Sequence, residues 1–425
     1  MKSFITKKLK ITLVFLLALI IYSHTYFAQS VNYNQLSGQD LADRLNTITT
    51  AVPFLLITPD SRAGGMGDAG AATSADPNAI HWNASKLAFA DKKIGFAVSY
   101  TPWLRALVPD INLAYLAGYY KLKKKAGVVG GSLRYFSLGD ITFTDINGNV
   151  TGQFRPNEFA LDVAYATKLG KNFSGGGAVR YINSNLTGGT FVDGSATRPG
   201  RSVAVDISML YRRDKLKLGD KKSIFAIGLN VSNIGAKISY SDRNSKGSAN
   251  FIPINLRLGT SLTLNMDDYN TITFAVDANK LLVPTPPIYQ RDSSGAPISN
   301  GAGGYKIAKG EDPNRGIAEG IFGSFSDAPG GGKEEFREIN FAGGIEYWYN
   351  KLFSVRAGFF FEHPTKGNRK YFTLGAGVKY NVFGLDFAYL IPTQQRNPLE
   401  NTLRFTLTFD FDAFKAQNDE SKRTE

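Results

Sequence analysis

The sequence lacks cysteine, contains only three histidines, and has one long apolar run, at its N-terminus. Without cysteine the chain has no disulfide bond and no thiolate metal site. Neither a GxSxG motif nor a metal-ligand spacing accompanies His24, His81 and His363. The sequence therefore gives no sign of a hydrolase triad and predicts no catalytic, cofactor or metal site. We interpret the chain as a protein that is not an enzyme.

The N-terminal apolar run is typical of an export signal. Four lysines precede the apolar residues 11–21, which are too few for a comfortable membrane-spanning helix. Cleavage is expected after Ala28, although Tyr26 at the minus-three position is large and leaves the exact site open. The alternative is that the run stays as a membrane anchor. We predict a signal peptide over residues 1–28.

Beyond the signal, apolar and polar residues alternate with a period of two, which is typical of strands with one apolar face and one polar face. Residues 203–211 and 403–411 show this pattern most clearly. Phe, Tyr and Gly are abundant, as the aromatic girdles and curved strands of a membrane barrel require. The pattern predicts 14 strands, near residues 94–101, 110–122, 125–138, 154–168, 172–184, 201–214, 222–233, 252–265, 269–280, 336–349, 351–362, 370–380, 382–391 and 401–411.

The gaps between these segments alternate between short and long. The short turns fall at residues 123–124, 170–171, 214–221, 266–268, 350 and 381. The long loops fall at residues 102–109, 139–153, 185–200, 234–251, 281–335, 363–369 and 392–400. A bacterial outer-membrane barrel explains this alternation, because it has short periplasmic turns and longer external loops. A soluble β-sandwich, the alternative, does not sort its loops by length. We predict an all-β fold, a 14-stranded antiparallel transmembrane β-barrel with external long loops and periplasmic termini.

The polar strand faces, which are predicted to line the lumen, carry charges of both signs. A wide lumen tolerates such charges when they pair or stay hydrated. We interpret them as a salt-bridge network that rigidifies the barrel; the alternative is a lining that binds a polar ligand or peptide. The predicted network contains Arg134, Arg180, Asp206, Arg257, Asp277, Glu346, Arg356 and Asp386, and Asp162, Arg404 and Asp410 lie on the same faces.

Two of the long loops are candidate partner-binding surfaces. The loop over residues 281–335 begins rich in proline and continues rich in glycine. Loops of this length are usually functional or disordered, so a floppy insertion is the alternative. The first loop carries an apolar cluster, whose alternative is a belt aromatic at the membrane interface. The predicted partner-binding residues are Trp103, Leu104, Leu107, Pro286, Pro287 and Tyr289.

The formal net charge of +13 does not indicate nucleic-acid binding. The basic residues cluster in the predicted short turns, near residues 121–125 and 212–222, and no basic helix or RNA-binding motif is present. We interpret them as a solvated periplasmic rim; the alternative is contact with anionic headgroups or an acidic partner.

Gly65, Gly67 and Gly70 form a GxGxxG pattern after the apolar residues 54–57. A dinucleotide-binding fingerprint requires a following helix within a βαβ unit, but Pro77 interrupts this stretch and no such alternation follows. We interpret the segment as small residues that pack closely inside or beneath the barrel mouth.

Residues 51–70, AVPFLLITPDSRAGGMGDAG, and residues 81–87, HWNASKL, closely resemble the PorV family of type IX secretion outer-membrane proteins in Bacteroidetes. The likeness covers essentially the whole mature chain. PorV proteins in turn look like the FadL family of hydrophobic-compound transporters, which are 14-stranded barrels with an N-terminal hatch. Together with the strand pattern, the resemblance implies a periplasmic segment at residues 29–60, a hatch at 61–92, the barrel at 93–411 and a periplasmic tail at 412–425.

The resemblance also implies a function. PorV-like proteins associate with a giant SprA-type translocon barrel. They accept cargo proteins through the cargo's own C-terminal signal domain and carry them to the attachment complex. Outer-membrane lipid is the remaining expected partner, and no cofactor is expected. One alternative is a FadL-like channel for hydrophobic small molecules. Another is lipid A deacylase activity, against which the absence of a visible Ser-His pair argues.

Overall fold

The computed structural model describes residues 45–411, except residues 106, 109, 124–125, 145–146, 190, 193–194, 220, 242–248 and 302–303. The predicted signal peptide, residues 29–44 of the predicted segment 29–60 and the predicted tail at 412–425 lie outside the described residues.

Fourteen antiparallel strands form a closed barrel, which confirms the predicted fold class. Each strand pairs with its neighbours along the chain, and the first pairs with the last, for example Ala97 with Thr408. Closure leaves no free sheet edge, so a barrel satisfies its backbone hydrogen bonds within a membrane. The strands are β1 Ile94–Pro102, β2 Ile111–Lys121, β3 Val128–Leu138, β4 Asn157–Lys168, β5 Phe173–Asn185, β6 Gly200–Leu218, β7 Lys221–Gly235, β8 Asn255–Asn265, β9 Asn270–Leu281, β10 Asn340–Tyr349, β11 Phe353–Phe361, β12 Lys370–Tyr380, β13 Phe383–Pro392 and β14 Leu403–Asp410.

The outer face of the barrel is apolar and the inner face is covered. On β6, Val203 and Ile207 are 56% and 54% exposed, whereas Ala204 and Asp206 between them are 1% and 2% exposed. The strand period of two places these two sets on opposite faces. A continuous apolar outer surface of this kind is what a barrel presents to lipid.

The connections alternate in length around the whole barrel, as predicted. The short ones lie at residues 122–127, 169–172, 219–220, 266–269, 350–352 and 381–382. The long ones lie at residues 103–110, 139–156, 186–199, 236–254, 282–339, 362–369 and 393–402. We call the two ends of the barrel the short-turn end and the long-loop end.

The longest loop contains regular structure that the sequence pattern did not predict. It carries two short helices, Ile317–Gly323 and Gly332–Arg337, and a hairpin of Ile288–Tyr289 with Ile307–Lys309. The second helix shows that the strand predicted over residues 336–349 began too early, because β10 starts only at Asn340. Leu282 and Val283 are buried, so the loop packs onto the barrel at its base.

Two other strand boundaries differ from the prediction. The residues before β4 instead form a loop hairpin, in which Ile141–Thr144 pairs with Val150–Phe154. At the other end, β6 and β7 extend until only residues 219–220 connect them, and Gly219 adopts a φ of +63° there. The periodicity identifies strands but does not show which strand each one pairs with.

The remaining helical segments are short. Among the described residues, none of the helices is both long and apolar enough to cross a bilayer. Besides the two loop helices, they are Pro53–Leu56, Ser61–Gly64, Ala79–Trp82, Ala84–Phe89 and Pro364–Lys366.

Candidate functional site: the lumen and the long-loop end

Residues 46–93 run along the inside of the barrel from the long-loop end to the short-turn end. Asn46 and Ala51 donate backbone hydrogen bonds of 3.0 and 2.8 Å to the carbonyls of Thr365 and Phe251, in two long loops. Further along, the backbone N–H of Ser85 donates to Ser208 Oγ on β6 at 3.0 Å. Residues 46–58 therefore lie beside the long loops, whereas the prediction placed the whole of residues 29–60 with the short turns.

This lumen segment approaches the strand backbones closely. A Cβ atom on Gly358 of β11 would lie 2.1 Å from the backbone nitrogen of Gly67, and one on Gly228 of β7 would lie 2.2 Å from the carbonyl of Ala71. Gly67 itself has a φ of +69°. These contacts agree with the predicted close packing of small residues and require glycine at both strand positions. That the segment acts as a hatch stays a prediction.

Five of the eight charges predicted for the lumen network, Arg180, Asp206, Glu346, Arg356 and Asp386, belong to two separate ion clusters. In the first, Arg180 contacts Asp162 at 2.6 Å and Asp206 at 3.1 Å. It also hydrogen-bonds Asn233. Each of the three charged side chains is buried. Buried ions of this kind persist only when their partners satisfy them, so the pairing fixes the relative positions of β4, β5 and β6.

In the second cluster, Glu346 lies between two arginines. It contacts Arg356 at 2.8 Å and Arg62 of the lumen segment at 2.7 Å, and Arg356 also contacts Asp386 at 2.6 Å. The strand pattern did not predict Arg62 in this cluster, because a residue outside the strands has no predictable face. The cluster ties the lumen segment to β10, β11 and β13.

Three of the predicted lumen residues bind the lumen segment rather than another charge. Asp277 accepts the backbone N–H groups of Gly70 and Ala71 at 2.8 Å each. Arg134 donates to the carbonyl of Leu55 at 2.7 Å. The guanidinium carbon of Arg257 lies 4.5 Å from the ring centroid of Trp82.

The histidines within the described residues have structural partners. His81 Nδ1 lies 2.6 Å from Arg134 Nη2, and His363 Nδ1 lies 2.9 Å from Thr365 Oγ1. No serine hydroxyl is hydrogen-bonded to either ring, so the described residues assemble no Ser-His pair.

A cavity of about 340 Å³ opens at the long-loop end, between residues 47–58 and the loops. Its walls combine apolar side chains with charged ones. Arg404, which is 2% exposed, lies in it beside Asp68, with 3.7 Å between Arg404 Nη1 and Asp68 Oδ1. The lining is Thr47, Ile48, Thr49, Thr50, Pro53, Leu56, Ile57, Thr58, Asp68, Trp103, Leu281, Glu338, Asn340, Glu362, Lys366, Gly367, Arg369, Tyr371, Leu399 and Arg404.

An ion cluster next to this cavity anchors the longest loop. Lys280 contacts Glu335 at 2.9 Å and Glu338 at 2.6 Å, and Lys366 contacts Glu338 at 2.9 Å and Glu334 at 2.5 Å. Burial raises the pKa of Glu334, but the hydrogen bonds from Lys366, the Gly330 backbone N–H and Asn46, with the charge of Lys366, together outweigh it and leave that pKa below its usual value. Helix Gly332–Arg337 is thereby fixed to β9 and to the β11–β12 loop.

The predicted partner-binding residues differ widely in exposure. Leu107 is 63% exposed, whereas Trp103 is partly buried against two apolar clusters and lines the cavity. Leu104 also packs partly buried and has a φ of +50°. The first loop thus offers one strongly exposed apolar side chain from the predicted set.

In the longest loop, the predicted partner-binding residues are mostly covered. Pro287 is buried, Pro286 accepts a hydrogen bond from Asn46, and the ring of Tyr289 lies 5.5 Å from that of Tyr305. Phe322 and Phe336, which the sequence reasoning missed, are 78% and 65% exposed. They lie on the two short loop helices, which the apolar periodicity of the sequence did not predict.

A family model described as "Type IX secretion system protein PorV" matches residues 39–288. No curated protein matches the chain significantly. Among solved structures, the toluene transporter TbuX of Ralstonia pickettii matches 83% of this chain and 97% of its own, with 12% identity and a TM-score of 0.43. The toluene transporter TodX of Pseudomonas putida has corresponding values of 82%, 96%, 13% and 0.45. A FadL homologue of Pseudomonas aeruginosa has values of 86%, 100%, 11% and 0.42.

Proposed function

Because the chain belongs to the PorV family of type IX secretion system proteins, we propose that it binds secreted cargo at its long-loop end and passes it from the translocon to the attachment complex. The family membership predicted from residues 51–70 and 81–87 is confirmed. The chain is an outer-membrane β-barrel of that system. The family match carries this proposal.

The packing of the lumen supports a docking role over a conducting one. Met66, Trp82 and Leu87 of the lumen segment are at most 2% exposed. One cavity of about 340 Å³ lies at the long-loop end, and one of about 290 Å³ that includes Asp91 and Asn381 lies at the short-turn end. A smaller cavity of about 130 Å³ lies between the lumen segment and strands β6–β10. A macromolecule that binds at one end of this barrel therefore contacts the rim of the barrel and the lumen segment packed inside it.

The exposed aromatic residues of the longest loop support docking at the long-loop end. Exposed apolar patches often mark interaction sites. Phe322, Phe325 and Phe336 are 78%, 51% and 65% exposed on this loop. We propose that this end faces outward and meets the SprA-type translocon and the cargo's C-terminal signal domain.

Co-purification tests the proposal directly. Gentle detergent extraction of the tagged protein, followed by mass spectrometry, is expected to recover a very large barrel protein and secreted cargo. Cells that lack the protein are expected to retain cargo in the periplasm. Recovery of the tagged protein without the large barrel protein or cargo, together with normal secretion by cells that lack the tagged protein, would contradict the proposed role.

A deletion sharpens the assignment to the long-loop end. Strands Ile288–Tyr289 and Ile307–Lys309 pair as a hairpin whose flanking residues meet, since a Cβ on Gly310 would lie 3.2 Å from Pro287 Cα. Replacing the hairpin with a Gly-Ser pair leaves the buried base of the loop intact. We expect weaker recovery of cargo or translocon while the barrel stays folded. Shortening the hairpin of residues 141–154 in the β3–β4 loop provides a comparison at the same end.

The alternative function is a channel for hydrophobic small molecules. It predicts saturable uptake of fatty acids into liposomes that contain the purified barrel. The filled lumen leads us to expect no uptake above that of protein-free liposomes. Saturable uptake, with no recovery of translocon or cargo, would favour the channel.

A further inference from the structure

Positive charge at the short-turn end is concentrated on one side of the barrel. Residues 121–127, 168–172 and 212–222 form three of the short turns and the strand ends beside them, and Asp214 is the one acid in their described parts. The next turn, at residues 266–269, instead carries Asp267 and Asp268. We call the cationic side the basic sector. It consists of Lys121, Lys123, Lys168, Lys171, Arg212, Arg213, Lys215, Lys217, Lys221 and Lys222.

A cavity of about 240 Å³ lies on the lumen side of the basic sector. Lys121, Lys168 and Arg212 line it together with Phe89 of the lumen segment. Lys168 Nζ lies 4.5 Å from the centroid of the Phe89 ring, and the guanidinium carbon of Arg212 lies 5.5 Å from that centroid. The ring thereby brings together cations from β4 and β6, although β5 lies between these two strands.

The acids of this cavity do not balance its cations. Asp91 and Asp214 are the acidic lining residues, and they face three cations. Arg212 Nε donates to Asp214 Oδ1 at 2.8 Å, and the ion pairs of the described residues include none for Lys121 or Lys168. A concave surface with excess positive charge concentrates anionic ligands. We propose that the basic sector binds an acidic segment of another polypeptide, with one carboxylate of that segment in the cavity lined by Lys121, Lys168 and Arg212.

The position of the cavity favours a polypeptide over lipid headgroups. Lipid packs against the outer face of the barrel, where Met209 and Tyr211 of β6 are 44% and 37% exposed. The strand period of two places Arg212 on the opposite face, and Phe89 belongs to the lumen segment. A polypeptide reaches this side from solution through the mouth of the barrel, whereas a lipid would have to leave the bilayer.

The length of the basic sector favours a polypeptide over a small anion. β6 pairs with β5 as far as Tyr211 and then continues with β7 to Leu218. These further residues extend about 23 Å along the strand, since each adds about 3.3 Å. Leu169 and Leu218 are 62% and 46% exposed among the cations and offer apolar contacts. A free phosphate fills only the cavity, whereas an extended acidic segment contacts the cavity and the β6–β7 hairpin together.

Calorimetric titration of the full barrel in neutral detergent, at physiological ionic strength, tests the inference. The probe is an eight-residue peptide of alternating aspartate and serine, acetylated and amidated at its ends. The matched probe has asparagine in place of aspartate. We expect saturable binding of the acidic peptide and at least tenfold weaker binding of the asparagine peptide. Equal binding of the two peptides would overturn the role of the carboxylates.

Two competitors separate the polypeptide from other anions. Inorganic phosphate that displaces the acidic peptide at an equal concentration would reduce the basic sector to a site for small anions and overturn the assignment. Dihexanoyl phosphatidylglycerol that displaces it, where dihexanoyl phosphatidylcholine does not, would assign the basic sector to lipid headgroups instead. We expect neither competitor to displace the peptide at an equal concentration.

Two double variants locate the binding. Lys168→Gln with Arg212→Gln removes two cations of the cavity and is expected to weaken binding of the acidic peptide at least tenfold. Lys351→Gln with Lys379→Gln removes two exposed cations from the other side of the same end and is expected to bind within twofold of the wild type. Heat-modifiable electrophoresis checks the folding of both. Equal losses in the two variants would mean that only net charge matters and would overturn the site.

This inference goes beyond the proposed function, because it concerns the end of the barrel opposite the one proposed for cargo. Recovery of translocon and cargo with a barrel that binds both peptides alike leaves the secretion role standing and removes the acidic partner. Selective binding of the acidic peptide by a barrel that recovers neither translocon nor cargo supports the basic sector and removes the secretion role.

Discussion

The lumen and the long-loop end use charged residues in opposite ways. In the lumen, Arg180 and Arg356 each contact two carboxylates. At the long-loop end, Arg404 has only a distant one, and large aromatic side chains such as Phe322 are exposed. The lumen charges therefore hold the strands and the lumen segment to one another, whereas the long-loop end exposes large apolar side chains. The difference separates the part that holds the barrel together from the part that is open to binding.

Removing the central acid of a lumen cluster is expected to have the largest effect. Glu346→Ala leaves Arg62 and Arg356 without their shared carboxylate inside the barrel. Breaking a buried pair from one side costs about 3–5 kcal/mol of unfolding free energy. Urea unfolding of the barrel in lipid bilayers measures it. Asp140→Ala, which breaks the exposed pair with Arg155, is the control and should leave the midpoint unchanged.

The second-largest effect on the free energy of unfolding is expected from adding a methyl group where the lumen segment contacts a strand. A Cβ on Gly358 would lie 2.1 Å from Gly67 N, so Gly358→Ala forces the two backbones apart. Overpacking of this kind costs about 1–3 kcal/mol. Gly170→Ala is the matched control, because its Cβ would meet nothing within 4 Å. Equal unfolding midpoints for the two variants would mean that the segment is not held tightly in the lumen.

A pH-dependent effect is expected in the longest loop. Burial raises the pKa of Asp327 to about 6, and only its Oδ2 has a hydrogen bond, from the backbone N–H of Thr285. Because the pKa of Asp327 is raised in the folded loop, its contribution to loop stability is complete below the usual carboxyl pKa of 3.8 and is lost as the pH rises through about 6.

Asp327→Asn should therefore increase hydrogen-exchange protection of residues 317–337 at pH 8 and leave it nearly unchanged at pH 4. The wild type at the same pH is the reference. Lower protection in the variant at pH 8 would mean instead that the contact between Asp327 and Arg315, at 3.6 Å, dominates.

The smallest effect on stability is expected from the exposed aromatics. Phe322→Ser should change the unfolding free energy by less than about 0.5 kcal/mol, because the side chain is 78% exposed. If the long-loop end binds partners, the same variant should recover less translocon or cargo on co-purification. Phe173→Ser changes a residue on the membrane face of the opposite end and is the comparison. It should lower the stability of the barrel in the membrane without reducing the recovery of translocon or cargo. Full recovery with Phe322→Ser would exclude this side chain from the contact.

Local patterns in the sequence predicted most of the barrel. Val203, Val205 and Ile207 alternate with Ala204 and Asp206, and that order alone assigns each to a face. The alternation of short and long gaps then predicted the up-and-down connectivity. The predicted strand boundaries were wrong where a loop forms secondary structure of its own, as in helix Gly332–Arg337, because a six-residue helix leaves no periodic signal in the sequence.

By itself, the sequence determined the strand count, the two faces of the barrel, and the family, because strand periodicity, loop length and the motif of residues 51–70 are local properties of the chain. Only the tertiary structure decided which charges meet. Arg62 reaches Glu346 and Gly70 reaches Asp277 across more than 200 residues. Such contacts depend on closure of the barrel and on the path of the lumen segment through it, and the same geometry leaves Arg404 without a close partner.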